Sequence, residues 1–176
     1  MLNYAGCTSY WDQRSFPISV APDATMSPEE IVYVDLAVQQ WNDAVGEQVF
    51  VVGPELITDT SKEGISVSSA ALPTRMLGYC PVVYHLGISG TLGRISRGVC
   101  LVDTQQIFST DMYVKVVAHE LGHALGFPHD TDPQSVMYPE VLLGDQYLMA
   151  TQLDTVREMI KGTYKGHSVL GSVTCF

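Results

Sequence analysis

His119-Glu120-Leu121-Gly122-His123-Ala124-Leu125-Gly126-Phe127-Pro128-His129-Asp130 is the stretch from which the rest of the chain is read. His119 and His123 are four residues apart, so on a helix they share one face, one turn above the other. Two imidazoles so placed can hold one metal ion, with Zn–N distances of about 2.0–2.1 Å. Glu120 follows the first of them, beside the metal but off the two-histidine axis, where a carboxylate can hold a water molecule and take its proton. Gly126 allows the positive φ with which a helix stops and turns. That turn returns His129 as a third ligand and leaves a fourth tetrahedral position open, which is the catalytic arrangement. A bare HExxH also arises by chance on helices. Here a glycine three residues on, a histidine six on and a methionine-containing turn downstream all agree with the metal reading.

On these residues the chain resembles the metzincin metallopeptidases, whose extended pattern is HExxHxxGxxH. Ser135-Val136-Met137-Tyr138-Pro139 is similar to their Met-turn, and the spacing with Met-Tyr-Pro resembles the matrixin branch most. Asp130 departs from that branch and looks more like the adamalysins and the small bacterial snapalysins. The motif part of the resemblance covers roughly residues 110–140. It implies one catalytic Zn2+ on His119, His123 and His129, with Glu120 as the catalytic residue and Met137 as an apolar floor. It also implies an α+β, zincin-like fold: a twisted mixed sheet of about five strands, a backing helix, an active-site helix and a C-terminal helix. Residues 1–176 are then a single catalytic domain, with 1–126 as the upper subdomain and 127–176 as the lower.

Composition agrees with a folded globule: 46% of the residues are hydrophobic and only 16% charged. The formal net charge of −10 argues against a nucleic-acid partner, whose phosphates it would repel. No apolar run is long enough to span a bilayer. Met1-Leu2-Asn3-Tyr4 has neither the basic segment nor the apolar core of a secretory signal. Metzincins are made with a signal and an inhibitory pro-segment, so the resemblance implies the mature part of a longer precursor, secreted or periplasmic. The implied partner is a protein or peptide substrate cut by a monomer, which a pro-segment or protein inhibitor could hold latent. Four cysteines, none in a CxxC pair, read as two disulfides in an oxidising compartment, with three connectivities open. The favoured pairing is Cys7–Cys175, tying the ends, with Cys80–Cys100, pinning a long excursion to a strand.

Outward from the motif, Ser109 or Thr110 can cap the active-site helix, Asp111 suits its positive end, and Met112, Val116 and Val117 give it a buried face as far as Leu125. Before it, residues 90–96 and 98–104 read as two strands joined by a tight turn at Arg97-Gly98. By resemblance, the strand here is the exposed edge above the catalytic helix. Thr91, Leu92, Gly93, Arg94 and Ile95 are the candidate residues to which an extended substrate adds. Residues 79–86 read equally as a strand or a packed loop. Matrixins carry structural zinc and calcium in this general region, but no ligand cluster for that zinc is visible and nothing here supports Ca2+.

Further upstream, Gly64 to Ser68 alternates with period two, and Gln48 to Val52 and Ile18 to Val20 are short strands. Ser27-Pro28-Glu29-Glu30 opens a helix with a capping box and a proline at its first position. Its stripe is Ile31, Val34, Val38, Trp41 and Val45, and it ends at Gly46. Downstream of the Met-turn, residues 140–149 should wall the pocket for the side chain that follows the cut bond. The last helix is expected from a cap at Thr151, with Asp154 as its partner, to Gly162. His85 and His167 read as surface residues.

Overall fold

A computed structural model describes residues 8–53, 63–86, 92–141 and 144–164. The elements in chain order are β1 (Thr8–Tyr10), β2 (Ile18–Pro22), α1 (Pro28–Val45), β3 (Phe50–Val52), β4 (Gly64–Ser69), β5 (Gly78–Tyr79), β6 (Val82–Leu86), β7 (Leu92–Val102), α2 (Thr110–Ala124) and α3 (Ala150–Ile160). Among the described residues the sheet has seven strands, in the order β1-β7-β4-β2-β3, with β5 and β6 also pairing β7. β1, β7, β4, β2 and β3 run parallel to one another, whereas β5 and β6 run antiparallel to β7. The sheet is therefore mixed, as expected, and two strands larger.

Local chemistry explains α1. The Ser27 hydroxyl accepts from the Glu30 amide, the Glu30 carboxylate accepts from the Ser27 amide, and Gly46 closes the helix at φ 78°. The helix buries Val34, Ala37, Val38, Trp41 and Val45, but Ile31 is 37% exposed and drops out of the expected stripe. Trp41 fixes α1 to α2: its indole N–H donates to the Ala118 carbonyl at 3.0 Å while its ring lies edge-on to Phe50. Trp11 makes the matching contact from the other end of the chain. It is 1% exposed and donates to the Ala124 carbonyl at 2.8 Å, satisfying one of the carbonyls a helix end leaves unpaired.

Three expectations are corrected. Residues 92–102 form one continuous strand rather than two with a turn at Arg97-Gly98. Gly98 is a glycine for packing reasons: a Cβ there would stand 3.2 Å from both the Ala124 Cβ and Ile65, so its absence lets α2 press against the sheet. Of the candidate edge Thr91, Leu92, Gly93, Arg94 and Ile95, the described part is no free edge. Leu92, Gly93 and Arg94 pair with β1 on one side, while Gly93, Arg94 and Ile95 pair with β6 on the other; Thr91 lies outside the described residues. The antiparallel edge is β6, which among the described strands pairs β7 alone. The third correction is α3, whose cap is Met149 rather than Thr151, so that the helix starts at Ala150. The Gln152 side chain accepts from the Met149 amide at 2.9 Å, a role the serine-or-threonine rule does not anticipate.

The structure bonds Cys80 to Cys100, tying the β5–β6 connection to β7. Cys7, Cys175 and His167 lie outside the described residues, and His85 is exposed on β6. Among the described residues, no helix is long and apolar enough to cross a membrane.

Candidate metal centre

The Ser109 hydroxyl caps α2 by accepting from the Met112 amide at 3.2 Å. His119 and His123 then fall on one face of its last two turns, with ring centroids 4.6 Å apart. The helix ends in paired backbone bonds, Phe127 N–H to the Gly122 carbonyl at 3.0 Å and Gly126 N–H to the His123 carbonyl at 2.9 Å. That geometry needs the φ of +99° that Gly126 adopts, and a Cβ there would also stand 2.7 Å from the Ser9 carbonyl oxygen. The turn brings His129 back, with its ring 4.7 Å from that of His123 and 5.2 Å from that of His119.

One potential ligand atom from each of His119, His123 and His129 lies within 4.8 Å of the others. The Nε2 atoms of His123 and His129 are 3.1 Å apart. Ligands of one tetrahedral zinc at ~2.0–2.1 Å lie roughly 3.3 Å from each other, so the spacing fits a shared ion. The other ring nitrogens are already used. His119 Nδ1 is 2.7 Å from the Val136 carbonyl and His123 Nδ1 is 2.8 Å from the Phe127 carbonyl. A carbonyl can only accept, so each Nδ1 carries the proton and each Nε2 lone pair is free for a metal. Burial keeps the rings neutral: it lowers His119 to about 3, helped by the neighbouring imidazoles, and His123 to about 4, both against their carbonyl bonds. Burial also lowers the more exposed His129.

Glu120 is 4% exposed and its Oε2 has no hydrogen-bond partner among the described residues. Burial alone raises its pKa to about 8. A buried carboxylate oxygen left without a hydrogen bond is costly to a fold, and such groups concentrate at functional sites. Three neutral nitrogen donors leave one tetrahedral position open, which is the donor set of a catalytic metal rather than of a closed structural one, and Glu120 follows the first of them in the chain.

Met137 is fully buried. Its thioether fills the space left by the missing side chain of Gly122, where a Cβ would overlap Sδ and come within 3.1 Å of Cε. The glycine inside the motif is thus the socket for the methionine of the following turn. That turn is bonded to the third-histidine segment through Asp130 N–H to the Met137 carbonyl at 2.8 Å. The Asp130 carboxylate accepts from the Asp132 amide at 3.1 Å and steadies the loop. The buried Ser135 hydroxyl accepts from the Met137 amide and from Gln152 Nε2, so α3 supports the turn from below. The sequence carries no signal for the carbonyls of Val136 and Phe127, nor for Gln152, since any residue supplies a carbonyl.

The Matrixin peptidase family model matches residues 56–161, more than half of the chain. The chain belongs to the matrixin family. This matrixin is 50% identical over 40 residues to an interstitial collagenase of Aquarana catesbeiana, a match covering 23% of this chain and 10% of that protein. The matched part thus spans about a tenth of that relative's length. Among solved structures, the matrixin is similar to high choriolytic enzyme 1, a hatching-enzyme zinc protease from Oryzias latipes. The TM-score is 0.44 and the identity 22%, over 68% of this chain and 50% of that one.

Proposed function

We propose that this chain is a secreted zinc endopeptidase that cuts internal bonds of extended protein or peptide substrates, with Glu120 as its general acid and base. The observation that carries the reading is the convergence of three neutral imidazoles on one point, next in the chain to a buried carboxylate whose Oε2 has no hydrogen bond among the described residues. His119, His123 and His129 would hold the ion. When bound, zinc supplies a Lewis acid that lowers the pKa of water from about 15.7 toward about 7 and polarises the scissile carbonyl. Glu120 accepts the proton of the attacking water and returns it to the leaving amine. The Val136 and Phe127 carbonyls keep both ring protons on Nδ1 throughout. The outer side of β6, with β5 leading into it past Glu120, offers an extended substrate a backbone to pair with. A disulfide within the fold agrees with an oxidising destination outside the cytosol.

The test is cleavage mapping with zinc-loaded protein on a denatured polypeptide. Internal cuts that a chelator abolishes are expected. Trimming from one terminus would instead mark an aminopeptidase. No hydrolysis by protein carrying one zinc per chain would sink the proposal.

A further inference from the structure

We infer that Gly78 is a positioning residue for the general base: the bare backbone at the start of β5 sets where the Glu120 carboxylate stands. The inference rests on the reading of Glu120 given above. A Cβ built on Gly78 would stand 2.7 Å from both Cγ and Cδ of Glu120 and would overlap Oε1. Real Cβ contacts do not fall below about 3.0 Å, so any side chain at residue 78 must displace the carboxylate. Gly78 itself is held from two sides. It pairs with Val102 in the sheet, and the disulfide two residues on joins Cys80 to Cys100 of the same strand. The Cys100 sulfur in turn lies 3.8 Å from the Glu120 carbonyl. β5 is thus tethered to β7 at both ends, and the Glu120 side chain is the part that gives.

Glu120 has little freedom to give harmlessly. Its side chain is buried, and among the described residues Oε2 has no hydrogen bond to hold it in a second position. Gly78 has none of the usual structural reasons for a glycine: its φ lies outside the left-handed region, and Glu120 is what occupies its open side. A side chain here moves the base relative to the attacking water while leaving the three imidazoles untouched. A shift on the order of 1 Å at a reacting group can cost ~10²-fold in rate.

Kinetics and zinc content of Gly78→Ala, Glu120→Asp and the double variant test this. Gly78→Ala should lose roughly 10- to 100-fold in kcat with KM within about twofold, one zinc per chain and a cooperative melting transition well above the assay temperature. Glu120→Asp draws the carboxylate back by one methylene, away from the new methyl group. Its cost should therefore be several-fold smaller in the Gly78→Ala background than in the parent chain, a non-additivity that a merely structural role would not produce. Unchanged kcat in Gly78→Ala, a loss that tracks zinc or folding, or additive effects would each overturn the inference. If the parent chain cuts and Glu120→Ala does not, the reading of Glu120 stands whatever Gly78→Ala does. If Glu120→Ala cuts normally, the failure lies in that reading.

Discussion

Glu120 and His123 sit one turn apart in character as well as in space: both are depleted of charge by burial, with opposite consequences. Burial makes the carboxylate a stronger base and keeps the imidazole a neutral donor. Glu120→Ala should keep one zinc per chain and lose ~10²-fold or more in kcat, read from metal analysis alongside a peptide assay. His123→Ala should instead lose the metal itself. Gly122→Ala probes a different property of the same turn. Its methyl group would overlap the Met137 thioether, so overpacking should cost ~1–3 kcal/mol in denaturant unfolding. These residues were legible because each residue type has one chemical reason to stand at its spacing. Gly78 was not: nothing in residues 76–80 says that a carboxylate 42 positions later will lie against it.

Elements were legible where their signals are local. Ser27 with Glu30, and Ser109 before a buried stripe, mark helix starts because a cap bonds a group three residues away. Replacing Ser27 by alanine should cost about 1 kcal/mol, a lower melting temperature with unchanged zinc content. The strands were read less well. Gly98 reads as a turn, yet it is an interior strand position against which Ala124 packs, and Thr91 to Ile95 reads as an edge, yet Gly93 and Arg94 are paired on both sides. A strand shows its own alternation but not its neighbours, and pairing order depends on residues far along the chain. Gln152 belongs to this scale too. Gln152→Ala removes a buried bond to Ser135 and a part-buried one to Met149 and should destabilise the chain by ~1–3 kcal/mol. Weaker zinc retention in a chelator titration should accompany it, because the Met-turn loses its support.

At the scale of the molecule, two linked equilibria follow. Zinc binding to a site made of α2 and the following turn stabilises only the folded chain, so stripping the metal should lower the melting temperature and stoichiometric zinc should restore it. At a free zinc level 1,000 times Kd the difference is ~4.1 kcal/mol. Acid acts through carboxylates far from the metal. For Asp23 burial works upward, but the Ser68 and Thr25 hydroxyls and the Thr25 amide outweigh it and hold the pKa below its ordinary value of 3.8. Asp103 is held low by the Leu72 amide and Gln106 side chain, and in Glu30 the Ser27 and Ser69 bonds override burial. The unfolded chain therefore takes up protons first as pH falls. This part of the stability is complete above about pH 5 and lost as pH drops through 4 and below, which melting curves from pH 7 to 3 would show. The sequence by itself determined the three histidines, the adjacent carboxylate and the helix that presents them, because a four-residue spacing and a glycine stop act within a few turns of one helix. Only the tertiary structure decided which strand is the edge, which carbonyls orient the imidazoles and which backbone the carboxylate rests on. Those depend on how separated segments close against one another, and no local pattern of residues records that distance.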